Sequence, residues 1–260
     1  MEKKDLLKDV IKHIDIKSYN STELIDAMRN MSFTSRDTAR AADILMMMCK
    51  EKECTNILTL AGSTSAAGCM QVYVDMVRNK MIDVVVATGA SIIDMDLFEA
   101  LGFKHYIGEK ENVIADTTLR DLYIDRIYDT YIDEEELQAC DHTTFEIANM
   151  LEARPYSSRE FIYEIGKWLH DGHAVKKDSL IQTCYECGVP IFVPAFSDSS
   201  AGFGIGKHQW ERMQKGEKYL SIDSVKDFIE LTQIKMQAPE TGLFMVGGGA
   251  PKNFAQDTVV

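Results

Sequence analysis

The sequence predicts an α/β protein in which a parallel sheet carries helices on both faces and a helical extension precedes it. Three observations lead there. Short apolar, β-branched runs recur along the chain, as in strands buried on both sides. Segments with helical spacing alternate with them. Three of the runs end in stretches rich in Gly, Ser or Asp, and open α/β sheets bind ligands beyond the carboxyl ends of their strands.

The first 55 residues read as the helical extension. Ser21-Thr22-Glu23-Leu24 offers a cap, and Asp37 to Lys50 is rich in helix formers, including Ala39, Ala41 and Ala42. Met46 to Met48 read as core packing. From Asn56 to Val260 the pattern is that of a single sheet domain. Asn56-Ile-Leu-Thr-Leu-Ala61 is a strand ending at Gly62, and small residues follow through Gly68. Met70 to Asn79 is a helix, and Ile82-Asp-Val-Val-Val-Ala87 is a second strand ending in Thr88-Gly89-Ala90. Together they make a βαβ unit. Asp133 to Leu151, Ser158 to His170 and Ser179 to Cys187 are predicted helices. Val189-Pro-Ile-Phe-Val193 is a strand with Pro190 near its start, where a missing N–H matters least. A loop follows, then a helix over Asp223 to Gln237 and a last strand, Thr241 to Val246.

Bulk properties narrow the function. The chain has 260 residues, 45% of them hydrophobic and 27% charged, which is ordinary for a globular protein. No apolar run is long enough for a membrane span and no signal peptide is evident, so a cytoplasmic protein is expected. The net charge of −13 argues against nucleic acid, which requires a basic surface, and suits a cationic substrate or basic partner. The six cysteines read as reduced packing residues. Cys184 and Cys187 form a lone CxxC, and His170 and His173 lack further ligands nearby, so no metal site is expected.

Three segments carry candidate chemistry. Gly247-Gly248-Gly249 follows the last strand, where bare backbone can approach a pyrophosphate, and Pro251 suits the first turn of a helix. It is not the GxGxxG fingerprint. Thr88-Gly89-Ala90-Ser91, with Asp94 and Asp96, could take a cofactor's ribose or an ammonium, although Asp and Ser are also common helix caps. Asp198 stands among small polar residues after the third strand, with capping again the alternative.

In this order and spacing, the three segments resemble the deoxyhypusine synthases, in their archaeal and bacterial branch. Phe33-Thr-Ser-Arg-Asp-Thr-Ala-Arg40 and Ile124-Asp-Arg-Ile-Tyr-Asp129 match as well, so the resemblance runs from about Met31 to the end. It implies a Rossmann-like fold, with residues 56–260 as an NAD-binding catalytic domain, and a homotetramer with NAD at dimer interfaces. It implies NAD-dependent aminobutyl transfer from spermidine to a lysine of the hypusinated translation initiation factor. Related members transfer to putrescine, and an inactive NAD-binding paralogue partnering an active subunit is a further reading. By position, Thr88, Gly89 and Ala90 would line the NAD site, with Ser63 and Ser65 in the loop after the first strand. Asp198 would contact the nicotinamide end or ribose, and Gly247 and Gly249 would hug the cofactor. Asp94 or Asp96 would be the acidic ribose ligand, one extra residue leaving the choice open. Asn253 would contact substrate where eukaryotic members have histidine. Phe203 replaces an aspartate that contacts the polyamine. The family's catalytic lysine lies in a Ser-Trp-Gly-Lys motif found nowhere in this chain, and Lys252 is not that residue. The chain ends inside the helix opened by the triple glycine, where a further strand is expected.

Overall fold

The structure is a computed structural model describing residues 1–108 and 114–259. Its α-helices are α1 (Lys3–Leu6), α2 (Thr22–Met28), α3 (Phe33–Lys50), α4 (Met70–Arg78), α5 (Phe98–Ala100), α6 (Asp116–Asp121), α7 (Glu134–Met150), α8 (Ser158–Trp168), α9 (Leu180–Cys187), α10 (Ser200–Gln214), α11 (Ser224–Gln237) and α12 (Gly249–Asp257). The strands are β1 (Cys54–Leu60), β2 (Val84–Ala87), β3 (Tyr106–Ile107), β4 (Ile124–Ile127), β5 (Thr130–Asp133), β6 (Pro155–Tyr156), β7 (Ile191–Phe192), β8 (Ser221–Ile222) and β9 (Glu240–Val246).

The four predicted strands form one parallel sheet in the order β7-β2-β1-β9. Side-chain alternation sorts its residues between two cores. Leu58, Leu60, Val85, Ala87 and Ile191 enter the larger, with Phe244 and Val246 packed against it. Ile57, Val84, Val86 and Phe192 enter the smaller, with Leu231 of α11 and Ala255 of α12. Helices therefore cover both faces. Burying side chains such as Leu58 and Val85 completely contributes about 1.5–3 kcal/mol each. Pro190 sits just outside β7, and its carbonyl accepts from the Val85 N–H at 2.9 Å.

Two unexpected features bear on the site. The stretch after β7 is a loop only as far as Ser199. Ser200–Gln214 is the helix α10, which packs along α7 so closely that a Cβ on Gly204 would collide with the Thr144 hydroxyl and the Asp141 carbonyl. In the middle of the chain, β3, β5 and β4 form an antiparallel sheet whose β4–β5 turn holds Tyr128 at φ 54°.

The residues ahead of α2 are strapped to the domain. Lys3 Nζ lies 2.5 Å from Asp133 and 2.8 Å from Glu135. Val10 bridges to Tyr106, the Ile14 N–H donates to the Gly68 carbonyl at 2.9 Å, and His13 Nε2 lies 2.7 Å from Glu99. No helix among the described residues is long and apolar enough to cross a membrane.

Candidate functional site

The sheet changes direction at its β1–β9 boundary. From β1 the chain passes to α4 on the side of the larger core, whereas from β9 it passes to α12 on the side of the smaller one. Loops that diverge in this way leave a crevice beyond the strand ends. Gly247 sits in it at φ 76°, so close to the preceding loop that a Cβ would stand 2.5 Å from the Ala61 carbonyl oxygen. A side chain there would prise the two loops apart. Gly248 and Gly249 are open instead, with nothing within 4 Å of where a Cβ would be. Ser63 is half-buried in the loop after β1. Ser65 is buried there, and its hydroxyl has no hydrogen-bond partner. Asn253 is exposed on α12.

The other candidates gather one strand away, beyond β2 and β7. Thr88 directly follows β2, and its hydroxyl accepts from the Ser91 N–H at 3.2 Å. Gly89 is buried, and a Cβ on it would lie 2.5 Å from Ser199 Oγ. Its smallness lets the β2 loop pack against the β7 loop. From Ala90 the chain makes a wide, π-type helical turn through Leu97, and this turn separates the two aspartates. Asp96 points inward and is fully buried, its two oxygens accepting from the Leu180 and Ile181 N–H groups at 2.8 Å each. These are first-turn donors of α9 that no helical carbonyl can reach. That placement takes Asp96 out of the ligand cluster and makes it a helix cap. Asp94 faces the other way and accepts from the Ser200 N–H, in the first turn of α10, at 2.7 Å.

Asp94 opens into a cavity of about 560 Å³, which it shares with Ala90, Asp125, Glu134, Asp141, Asp198 and Phe203, among others. Phe203, on α10, is 72% exposed. Asp125, Glu134 and Asp141 were not among the expected site residues. The acidic run from Asp133 read only as a helix start, and Asp133 does cap α7, accepting from the Glu135 N–H at 2.9 Å. The next residue, Glu134, lines the cavity. Asp125 comes from β4, in the sheet that the sequence did not reveal.

Burial dominates the electrostatics. It pushes the Asp94 carboxyl up to about 6, against the pull of hydrogen bonds from Ser200 and with help from the neighbouring Asp141 and Asp198 charges. Burial also raises Asp141, opposed by the Ser200 hydroxyl, and raises Asp125 together with the charge of Glu134. A wall that keeps so many carboxylates near one another favours a cation.

The remaining sequence candidates lie elsewhere. His173 stacks on Trp168 with 4.2 Å between ring centroids, and His170 lies 3.1 Å from Glu186. Cys184 is buried and Cys187 exposed, neither of them paired. Among the described residues no group of His, Cys, Asp and Glu is arranged to hold a metal ion.

The family model described as deoxyhypusine synthase matches residues 23–260. The chain belongs to the deoxyhypusine synthase family. A deoxyhypusine synthase-like protein of Caulobacter vibrioides is 66% identical to it over 259 residues, covering 100% of this chain and 70% of that one. A deoxyhypusine synthase-like protein of Coxiella burnetii is 59% identical over 258 residues, covering 99% of this chain and 72% of its own length. Among solved structures, a protein assigned as a deoxyhypusine synthase from Entamoeba histolytica superposes with a TM-score of 0.65 at 20% identity, over 92% of this chain and 79% of that one. At that identity the likeness carries the fold: a mixed α/β architecture built on a parallel sheet.

Proposed function

We propose that this chain carries out NAD-dependent aminobutyl transfer from spermidine, with a lysine of the hypusinated translation initiation factor as acceptor. Membership of the deoxyhypusine synthase family supports a transferase. The observation that carries the substrate is the cavity beyond β2 and β7, where Asp94, Asp125, Glu134, Asp141 and Asp198 alternate with Ala90, Leu137 and Phe203. Spermidine is its chemical complement: ammonium groups strung on methylene chains. Phe203 packs methylenes but cannot pair with an ammonium.

NAD suits the crevice between the loops after β1 and β9 on two counts. Backbone at Gly248 and Gly249 is open to a ligand, and the unpaired Ser65 hydroxyl is buried in the facing loop. Ser63, Ser65, Gly247 and Gly249 would hold its phosphates and ribose, with Thr88 and Ala90 toward its reactive end. Bound there, NAD supplies a hydride acceptor. The chain's own part is to hold and orient the amine. Asp94, pushed up to about 6 by burial, is ionised at neutral pH and pairs with an ammonium group of the bound amine. Gly89, packed on Ser199, keeps the two loops at the spacing this requires. The assembly expected on this reading is a homotetramer.

Putrescine is the second acceptor reading. The observation in its favour is the number of carboxylates in one cavity, enough for a second small dication beside spermidine.

The test is mass spectrometry of products after incubating the protein with NAD and spermidine. Release of 1,3-diaminopropane is expected, and adding putrescine or the translation factor then identifies the acceptor. No release with either acceptor present would overturn the transfer reading. Retained NAD binding in that case would leave the inactive paralogue.

A further inference from the structure

The cavity contains an imbalance that points to a particular residue. Asp94, on the turn after β2, and Asp141, on α7, both face Ser200 at the start of α10. The Ser200 N–H is committed to Asp94. That leaves the Ser200 hydroxyl, which holds a single proton and can donate to only one of the two carboxylates at a time. Asp141 Oδ1 is buried and has no hydrogen-bond partner. A buried carboxylate oxygen left bare costs free energy that a donor from a ligand would recover. An ammonium group carries three donors and a positive charge, so it can satisfy both carboxylates together.

Helix α7 sets the direction of the ligand. Glu134, Leu137 and Asp141 line the cavity from one side of that helix, at the i, i+3, i+7 spacing that keeps residues on a single face. Two carboxylates seven residues apart stand about 10 Å apart along the axis, with an apolar side chain between them. Asp125 lies beside Glu134 in the same cavity. The wall thus has an inner anionic pole at Asp94 and Asp141, an apolar middle and an outer anionic pole at Glu134 and Asp125.

We infer that Asp141 is a specificity-determining residue. With Asp94 it takes one terminal ammonium of a linear polyamine, and Glu134 with Asp125 takes the other, so that the wall selects a triamine over a shorter diamine as the bound donor. This rests on the polyamine reading above. Leu137 and Phe203 pack the methylenes between the poles.

The experiment is calorimetric titration of spermidine and of putrescine into the NAD-loaded protein and its variants, with steady-state kinetics alongside. Asp141→Asn removes the charge and keeps the shape. It is expected to weaken spermidine binding about 10- to 100-fold, the range for a lost hydrogen bond to a charged group, raising KM much more than it lowers kcat. The preference for spermidine over putrescine should shrink in step. Asp141→Glu should retain most of the affinity. Glu152→Gln, which removes an exposed charge just beyond α7, should change nothing. If Asp141→Asn fails to melt cooperatively, Asp141→Ser takes the same measurements. Spermidine binding to the Asn variant with unchanged affinity and unchanged selectivity would overturn the inference and leave the polyamine reading standing. A parent protein that binds NAD but neither amine would overturn both.

Discussion

Replacing Gly89 with alanine sets two opposed effects against each other, and the structure decides which wins. Gly89 has helical backbone angles, φ −57° and ψ −39°. On backbone entropy alone, alanine there would stabilise the fold by about 0.5–1 kcal/mol. The new Cβ, however, would stand 2.5 Å from Ser199 Oγ and 2.6 Å from Ser199 Cβ, well inside van der Waals contact. Ser199 has little freedom to move. It is buried, its hydroxyl donates to the Phe196 carbonyl at 3.0 Å, and the N–H of the next residue is held by Asp94. Overpacking in such surroundings costs about 1–3 kcal/mol, and the fixed neighbours put this case in the upper half of that range. The net result is a destabilisation of roughly 1–2 kcal/mol, or about 3–6 °C in Tm for a chain of this size. Thermal melting of Gly89→Ala, Ser199→Gly and the double variant measures it. Ser199→Gly removes both clashing atoms, so the double variant should recover most of the loss, with a coupling of about 1–2 kcal/mol. A Gly89→Ala protein that melts at or above the parent, or strictly additive single changes, would refute this account of the packing.

Two further outcomes follow from the aspartates after β2. Burial raises the Asp96 carboxyl to about 6 from 3.8, against two N–H donors. The folded protein therefore favours the protonated form. This contribution to stability is complete below about pH 4 and is lost as the pH rises through 6, by up to about 3 kcal/mol. Asp96→Asn cannot titrate, so urea unfolding should show the parent's advantage over this variant shrinking between pH 4 and pH 7, and a constant gap would contradict it. For Asp94, ionisation near pH 6 should appear as a rise in kcat/KM for spermidine through that pH, shaped also by Asp141 and Asp125 in the same cavity. Asp94→Asn should lower kcat/KM at pH 8 at least about 10-fold and lose that limb in a pH–rate profile, whereas an unchanged acid limb would assign it to another group.

The strands of the central sheet were readable because their side chains face apolar layers on both sides, which leaves an uninterrupted signal in runs such as Val84 to Ala87. Their loops were readable for the same reason, since every such run must stop somewhere. Helix α10 was hidden by its own packing. Gly202, Gly204 and Gly206 lower helix propensity where the helix begins, yet Gly204 is what lets it lie against Thr144 and Asp141. The β4–β5 hairpin escaped notice because its turn uses Tyr128 at positive φ rather than the Asn-Gly or Asp-Gly pair that announces such turns. With it went Asp125. The choice between Asp94 and Asp96 could not be made from the sequence, because two residues along a helical turn point to opposite sides. Which side held the cavity depended on α9 and α10, far along the chain.

The strap ahead of α2 has a kinetic consequence. Lys3 meets Asp133 across a separation of 130 positions, and His13 meets Glu99 across 86. Contacts between residues so distant in sequence close late, after their loop entropy has been lost to nearer pairings. During synthesis from the N-terminal end, residues 3–17 emerge well before the β5 hairpin and the α5 region they bind. They must wait undocked, with Val10 and Ile11 exposed, until about half the chain has followed. A segment made well before its partners is thus among the last to settle, and its docking reports that the domain behind it has formed.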